Sequence, residues 1–483
     1  MSIDQSAFPL AGRDSQKHTL QTALESGRPE LIAVFGRRRV GKTHLVRTFF
    51  EKELCFELTG SRDATLREQL VNFAHALGNL TGYRHACPES WQMAFEELTR
   101  VLEPMLTKGG RRVLFLDELP WLAGRNSRFL PAFEHFWNYW ASRQSRLVVV
   151  VCGSAASWMI TKFLRHKGGL HNRVTRRVLL EPFTLSETER FLESRNIQWE
   201  RPQIIEFQMA CGGIPYYLNL IERGHSPAQS IDQMLFSKSA PLANEFEELY
   251  ASLFDNYERH LAVIHALASK QQGLSRNELQ DLSGIHGGGN LTTILEELET
   301  SGFILKTIPY GRTQRDKLYR LADEFSLFHL QWGNKTKGSW QSIRNSPAYR
   351  AWSGYAFENL CLRHVWQMKS ALGISGVETE STAWRHHPKN PDESGAQIDL
   401  LIDRKDRVVN LCEMKYSEIP FAIDKAYAEK LRIKREVFRQ VTKTRKTLLL
   451  TMVTPHGVKS NSHSHVADSQ ITLDALFVPS PVD

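Results

Sequence analysis

Gly36, Gly41, Lys42 and Thr43 stand in the order G-x-x-x-x-G-K-T within "LIAVFGRRRVGKTHLVRTFF". That spacing suits a chain of phosphates. Leu31 to Phe35 are apolar enough for a buried strand, and the residues after the loop alternate like a helix, with Leu45, Val46, Phe49 and Phe50 as its buried positions. Between them Gly36, Arg37, Arg38, Arg39, Val40, Gly41, Lys42, Thr43 and His44 would surround a nucleoside triphosphate with backbone N–H groups. Lys42 would reach the β- and γ-phosphates, and Thr43 would ligate Mg²⁺. "RRVLFLDELPWL" adds an apolar strand ending in Asp117 and Glu118. Asp117 would hold the metal through water, and Glu118 would polarise an attacking water. A third apolar run, "LVVVVCGS", ends in Ser154, which either senses the γ-phosphate or simply terminates a core strand.

A second constellation lies near the other end. Asp399 falls within the apolar run Ile398–Ile402, a polar turn extends from Arg404 to Arg407, and a second apolar run leads into Glu413, Met414 and Lys415. Side chains alternate along a strand, so Glu413 and Lys415 share a face and Met414 takes the other. A hairpin here brings Asp399 near both. Two carboxylates bind a hard divalent ion through oxygen. Such an ion polarises a phosphodiester and acidifies a bound water, while Lys415 orients that water or stabilises developing charge. Glu358 sits upstream on a helical stretch with apolar positions Phe357, Leu360, Cys361 and Val365. The plainer alternative is a half-buried strand whose acids only make salt bridges. Downstream, Arg432, Arg435, Arg439, Lys443 and Lys446 recur at helical steps, with Glu429 and Glu436 among them. This is either a stripe that tracks a DNA backbone or a solvated helix face. His386–His387 is read as a non-ligand pair, and His463 and His465 as part of a mobile polar tail.

The chain of 483 residues has room for about three domains. Its hydrophobic content of 41% and charged content of 24% are those of a globular protein. A net charge of +8 is compatible with nucleic acid. Six scattered cysteines without CxxC spacing argue against a zinc site or disulfide framework and fit a reducing cytoplasm. The N-terminus lacks the pattern of a signal peptide, and no apolar run is long enough to span a membrane. From Tyr257 to about Asp323 the pattern predicts three helices, one opened by Ser275, and then a hairpin around Pro309–Gly311: a winged helix. Its third helix carries Glu296, Glu297 and Glu299 and no Lys or Arg, whereas the hairpin carries Arg312, Arg315, Lys317 and Arg320. A wing-first contact with DNA, or a connecting role, is therefore expected rather than readout by the third helix.

Taken together, the phosphate loop and its flanking motifs resemble the AAA-like P-loop ATPases, and within them the archaeal ATPases related to STAND signalling ATPases. "LAGRDSQ" is similar to the opening "GRE" box that borders the adenine pocket, with Asp14 in place of Glu. "GGLHNRVTRRVLLEPFTLSE" and "CGGIPYYLN" are similar to two further stretches of that family, the second in a helical lid. The resemblance implies that Arg173 is an arginine finger or sensor; among Arg176 and Arg177 it could equally be an ordinary surface residue. A finger acting between chains would imply a dimer or ring. The order Glu358, Asp399, hairpin, Glu413-x-Lys415 resembles the PD-(D/E)XK, restriction-endonuclease-like nucleases. It implies metal ligation by Glu358, Asp399 and Glu413, and catalysis by Asp399, Glu413 and Lys415. The Pro391–Asp392 dipeptide lies in a polar loop, so Asp399 takes the motif position. The expected architecture is α/β: a P-loop ATPase parallel sheet with helical lid at 8–255 (lid about 183–255), a winged helix at 256–340, and a restriction-endonuclease-like domain at 345–478. The expected function is an ATP- and Mg²⁺-dependent switch controlling a nuclease that acts on DNA. A STAND-type regulator whose last domain only binds a partner or nucleic acid is the alternative.

Overall fold

The computed structural model describes residues 10–480 except 125, 166–169, 171, 271, 287, 334–338, 345, 387 and 389–393. His387, Pro391 and Asp392 thus lie outside the described residues. Two compact units divide the chain, one ending at Pro182 and the other running from Phe183 to Pro481.

The first unit is built on five parallel strands: β1 (Glu30–Phe35), β2 (Leu54–Thr59), β3 (Arg112–Asp117), β4 (Leu147–Gly153) and β5 (Arg176–Leu179). Their spatial order is β2-β3-β4-β1-β5. β1 and β4 are buried at every position, as the continuous apolar runs "ELIAVF" and "LVVVVCG" require of strands covered on both faces. Crossover helices, among them Lys42–Phe49, Leu66–Thr81, Trp91–Thr107 and Phe129–Tyr139, return the chain between strands. Their aromatic faces fill one side of the sheet with Phe73, Trp91, Phe95, Phe129, Phe133 and Phe136. The carboxyl ends of β1, β3 and β4 therefore meet at one edge. They lead into Gly36, Glu118 and Ser154, where ligands settle on such sheets.

The second unit begins with helices Leu185–Ser194, Arg201–Cys211 and Glu245–Leu253, so the segment expected as a lid groups with the elements C-terminal to it. The glycine pair in "CGGIPYYLN" has a steric reason. A Cβ on Gly213 would come within 2.0 Å of the Phe183 carbonyl oxygen. Helices Tyr257–Ala268, Arg276–Ser283 and Gly288–Thr300 come next, with a small antiparallel sheet of β6 (Leu274–Ser275), β7 (Ile304–Thr307) and β8 (Leu318–Leu321) in the order β6-β8-β7. Ser275 caps its helix through a reciprocal bond with Glu278. The acids of the third helix are engaged locally: Glu297 lies 2.8 Å from His260, and Glu299 lies 2.7 Å from Lys306.

The last sheet is mixed. β9 (Thr379–His386), β10 (Ala396–Arg404) and β11 (Val408–Met414) are antiparallel neighbours, while β12 (Thr447–Val453) and β13 (Ser469–Ile471) continue parallel to β11. Helix Lys425–Thr442 crosses from β11 to β12 and buries Ala428, Leu431 and Phe438 against the sheet. The β7–β8 hairpin is fastened to this sheet. The Tyr310 N–H donates to the Ala383 carbonyl at 3.1 Å, the Thr382 hydroxyl donates to the Ile308 carbonyl at 2.5 Å, and the Tyr310 ring lies 5.3 Å from that of Phe438.

Two expectations change here. The stretch with His463 and His465 is no loose tail: it makes a turn at Ser464–Val466, buries Val466, and continues into β13 and helix Leu473–Leu476. The basic stripe is not a continuous helical face, because the helix ends at Thr442 with Lys443 in a left-handed cap. Lys446 pairs with Asp403, and Arg435 stands 3.8 Å from Asp468.

Candidate functional site

At the carboxyl edge of the first sheet, Gly36 passes so close to the next strand connection that a Cβ would lie 2.1 Å from the Leu180 carbonyl oxygen, and its φ of 147° is open mainly to glycine. Gly41 (φ 89°) turns the chain into helix Lys42–Phe49, whose start has no side-chain cap, leaving its first N–H groups for an anion. Arg13, from the opening box, is buried and donates to the Val40 carbonyl at 3.2 Å, bracing the loop. Lys42 is 5% exposed and its ammonium donates to the Arg37 carbonyl at 2.8 Å. Burial lowers its pKa, opposed by the nearby Cys152, Glu118 and Asp117. An uncapped helix start beside a buried lysine fits a phosphate group.

The structure brings the other predicted residues to the same place. The Thr43 hydroxyl donates to Asp117 Oδ2 at 2.7 Å, so the two expected Mg²⁺-side groups already touch. Asp117 Oδ1 accepts the Glu118 N–H at 2.9 Å. Glu118 has a φ of 48°, a left-handed backbone unusual for a glutamate. That turn aims its carboxylate at the end of β4, where the Ser154 hydroxyl donates at 2.6 Å and the Ser154 N–H at 3.2 Å. Ser154 therefore holds Glu118. Arg37 and Val40 are buried within the loop, Arg38 and Arg39 are half-exposed, and burial lowers the pKa of His44. Arg173 is exposed, in the turn before β5.

In the second unit, β10 and β11 pair as the hairpin expected, with Leu400 opposite Cys412. Asp399 is 9% exposed and Glu413 1%. Lys415 continues the pairing one residue past β11, its N–H donating to the Val453 carbonyl, so its side chain returns to the Glu413 face. Its ammonium lies 3.9 Å from Asp399 Oδ2 and 3.8 Å from Glu413 Oε2. Asp399 Oδ2 also accepts the Met414 N–H at 3.1 Å. Glu413 Oε2 is buried and accepts no hydrogen bond. Burial first, and the Asp399 charge second, push the Glu413 carboxyl up to about 7. Two crowded carboxylates, one with an oxygen lacking a donor, fit a hard divalent cation such as Mg²⁺.

Two residues without a motif position belong to this site. Lys434, from helix Lys425–Thr442, puts its ammonium 2.5 Å from Glu413 Oε1. Its sequence signal was its place between the buried Leu431 and Phe438, where the helix's inward stripe calls for an apolar residue. Arg320, from β8, pairs with Glu358 at 2.6 Å and stands 4.6 Å over the Tyr355 ring. The expectation of an exposed wing cation is thereby corrected for Arg320, which lies inside the unit. Glu358 is correspondingly engaged. Among the described residues no three His, Cys, Asp or Glu side chains form a metal-holding group, so Glu358 does not close a cage with Asp399 and Glu413 in this arrangement. Nor is any described helix long and apolar enough to cross a membrane.

Residues 11–221 match a family described as an ATPase domain predominantly from Archaea. An uncharacterized protein of Methanocaldococcus jannaschii is 21% identical over 416 residues, covering 84% of this chain and 87% of its own. Among solved structures, the Walker-type ATPase of Pyrococcus abyssi aligns with a TM-score of 0.50 at 19% identity, over 67% of this chain and 96% of its own. The ORC2 protein of Aeropyrum pernix aligns with a TM-score of 0.41 at 14% identity, over 67% and 94%. The parallel sheet, phosphate loop and Thr43–Asp117 pair all lie within the residues that match this archaeal-type ATPase domain.

Proposed function

We propose that the chain couples ATP binding and hydrolysis in its first unit to Mg²⁺-dependent cleavage of DNA by a PD-(D/E)XK-type site in its second, in defence against foreign DNA or chromosome maintenance. The observation that carries the nuclease reading is the convergence of Asp399, Glu413 and Lys415 around a buried carboxylate oxygen without a donor. Mg²⁺, when bound, supplies Lewis acidity toward a phosphodiester and lowers the pKa of its water. Asp399 and Glu413 would hold it. Lys415 is placed to orient the nucleophile or offset charge on the phosphate. In the first unit Thr43 and Asp117 would serve the Mg²⁺ of ATP, Lys42 the phosphates, and Glu118 the attacking water. The segment 256–340 is taken as a winged helix, whose exposed Arg312 and Arg315 offer backbone contacts to DNA.

A STAND-type regulator is the second reading. It is favoured by the cations already seated on Glu358 and Glu413, which would let the site bind without cutting. The deciding experiment compares wild type, Asp399→Ala and Lys42→Ala on plasmid and single-stranded DNA, with Mg²⁺ or Mn²⁺, with and without ATP. Cleavage lost in Asp399→Ala and dependent on ATP through Lys42 supports the nuclease switch. Equal cleavage by wild type and Asp399→Ala, or none by any protein, rejects it.

A further inference from the structure

The carboxylate site contains more positive charge than its motif supplies. Glu358, Asp399 and Glu413 face Lys415 of the motif, but also Lys434 and Arg320, which come from a separate helix and a separate hairpin. Each outside cation is seated on one carboxylate. Lys434 occupies only Oε1 of Glu413 and leaves the buried Oε2 without a donor. Arg320 grips Glu358 through Nη1 alone, while its Nε and Nη2 are buried with no acceptor. A guanidinium–carboxylate pair built for structure is commonly bidentate and fully satisfied. Both contacts are instead one-handed.

Resting on the proposed metal site, we infer that Lys434 and Arg320 are positioning residues that hold the places of a divalent cation. They neutralise Glu413 and Glu358 until that ion displaces them, and so they set how tightly the site binds it. The consequence runs against ordinary expectation for active-site lysines. Removing either cation strengthens divalent binding, because the ion no longer competes for the carboxylate and meets a more negative site.

The test is Mn²⁺ binding to the full-length protein, without nucleotide, by calorimetry and by the electron paramagnetic resonance of free Mn²⁺. Asp399→Ala provides the background from all other sites. Lys434→Met should bind the Asp399-dependent ion about tenfold more tightly than wild type, and Arg320→Gln several-fold more tightly, as expected when a competing unit charge is lost. Lys434→Arg and Arg320→Lys should return toward wild type, which a loss of packing alone would not produce. The calorimetric melt of the second unit, which contains both residues, reports on folding. Unchanged or weaker Mn²⁺ binding in both Lys434→Met and Arg320→Gln, with Asp399-dependent binding present in wild type, overturns the inference while leaving the metal site standing. Binding in wild type and in Lys434→Met that equals Asp399→Ala removes the metal site itself, and the inference with it.

Discussion

Glu118 and Lys42 show how much a single residue's surroundings decide. Glu118 is held by both polar groups of Ser154, and its left-handed backbone keeps it there. Lys42 is buried, so its charge has nowhere else to act. Lys42→Ala should abolish nucleotide binding or hydrolysis. Glu118→Gln should keep ATP and lower turnover by about 10²–10³, the range for losing one well-placed polar group. Equilibrium binding of a fluorescent ATP analogue beside single-turnover hydrolysis separates the two, and wild-type turnover in Glu118→Gln would reject its assigned role. In the second unit, Met414→Leu should be nearly silent, because Met414 is buried and the swap conserves volume. The P-loop could be read from sequence because it is contiguous: eight residues carry the turn, the buried lysine and the threonine that bonds Asp117. Asp399, Glu413 and Lys415 could be read because a hairpin is a local structure. Arg320 and Lys434 could not, since nothing in a strand or an amphipathic helix says which distant carboxylate it will meet.

Elements are tied together by contacts that respond to conditions. His364, at the end of helix Pro347–Arg363, is 2% exposed. Its Nδ1 faces the Leu360 carbonyl at 2.8 Å and its Nε2 faces the Leu185 N–H at 3.2 Å. A carbonyl can only accept and an N–H can only donate, so the ring must be neutral with its proton on Nδ1. Burial accordingly lowers its pKa to about 4, from 6.5. For a histidine with a depressed folded pKa, its stabilisation is complete above about 6.5 and is lost as pH falls toward 4. The loss approaches roughly 3 kcal/mol at full protonation. His364→Gln should be less stable than wild type at pH 7.5 and close to it at pH 4.5. A Tm difference independent of pH would reject the assignment. The hairpin makes a different prediction. Neutralising exposed Arg312 and Arg315 together with Lys317 should weaken DNA binding and reduce its salt slope by up to about 3. Filter binding across a salt series measures this, and an unchanged slope would show that the tip does not meet phosphate. Reversing Glu297 to Lys is expected to cost stability, because it removes the carboxylate that lies 2.8 Å from the buried His260 Nε2.

At the scale of the molecule, length leaves room for about three domains, and the middle segment falls within the second of two compact units. The reason is physical. The middle hairpin packs Tyr310 against the core formed by Trp384, Leu431 and Phe438. Such sharing leaves no composition boundary to read. Residues 1–182 should therefore fold alone, as should 183–481, while 341–481 alone should not give a cooperative melt by calorimetry. A sharp transition from that last fragment would show that it is a domain in its own right.

The same fastening imposes an order on synthesis. The first sheet has all its strands once Leu179 has emerged. The hairpin's partners on β9 come about seventy residues after Tyr310, a wait of roughly 4–15 s at ordinary elongation rates. During that interval Tyr310 lacks the strand it will later pair with, while Arg320 waits about forty residues for Glu358. A growing chain would thus carry a finished nucleotide fold and an unfinished second half at once. Chaperone capture should concentrate on nascent chains whose exposed length ends between Tyr310 and Ala383.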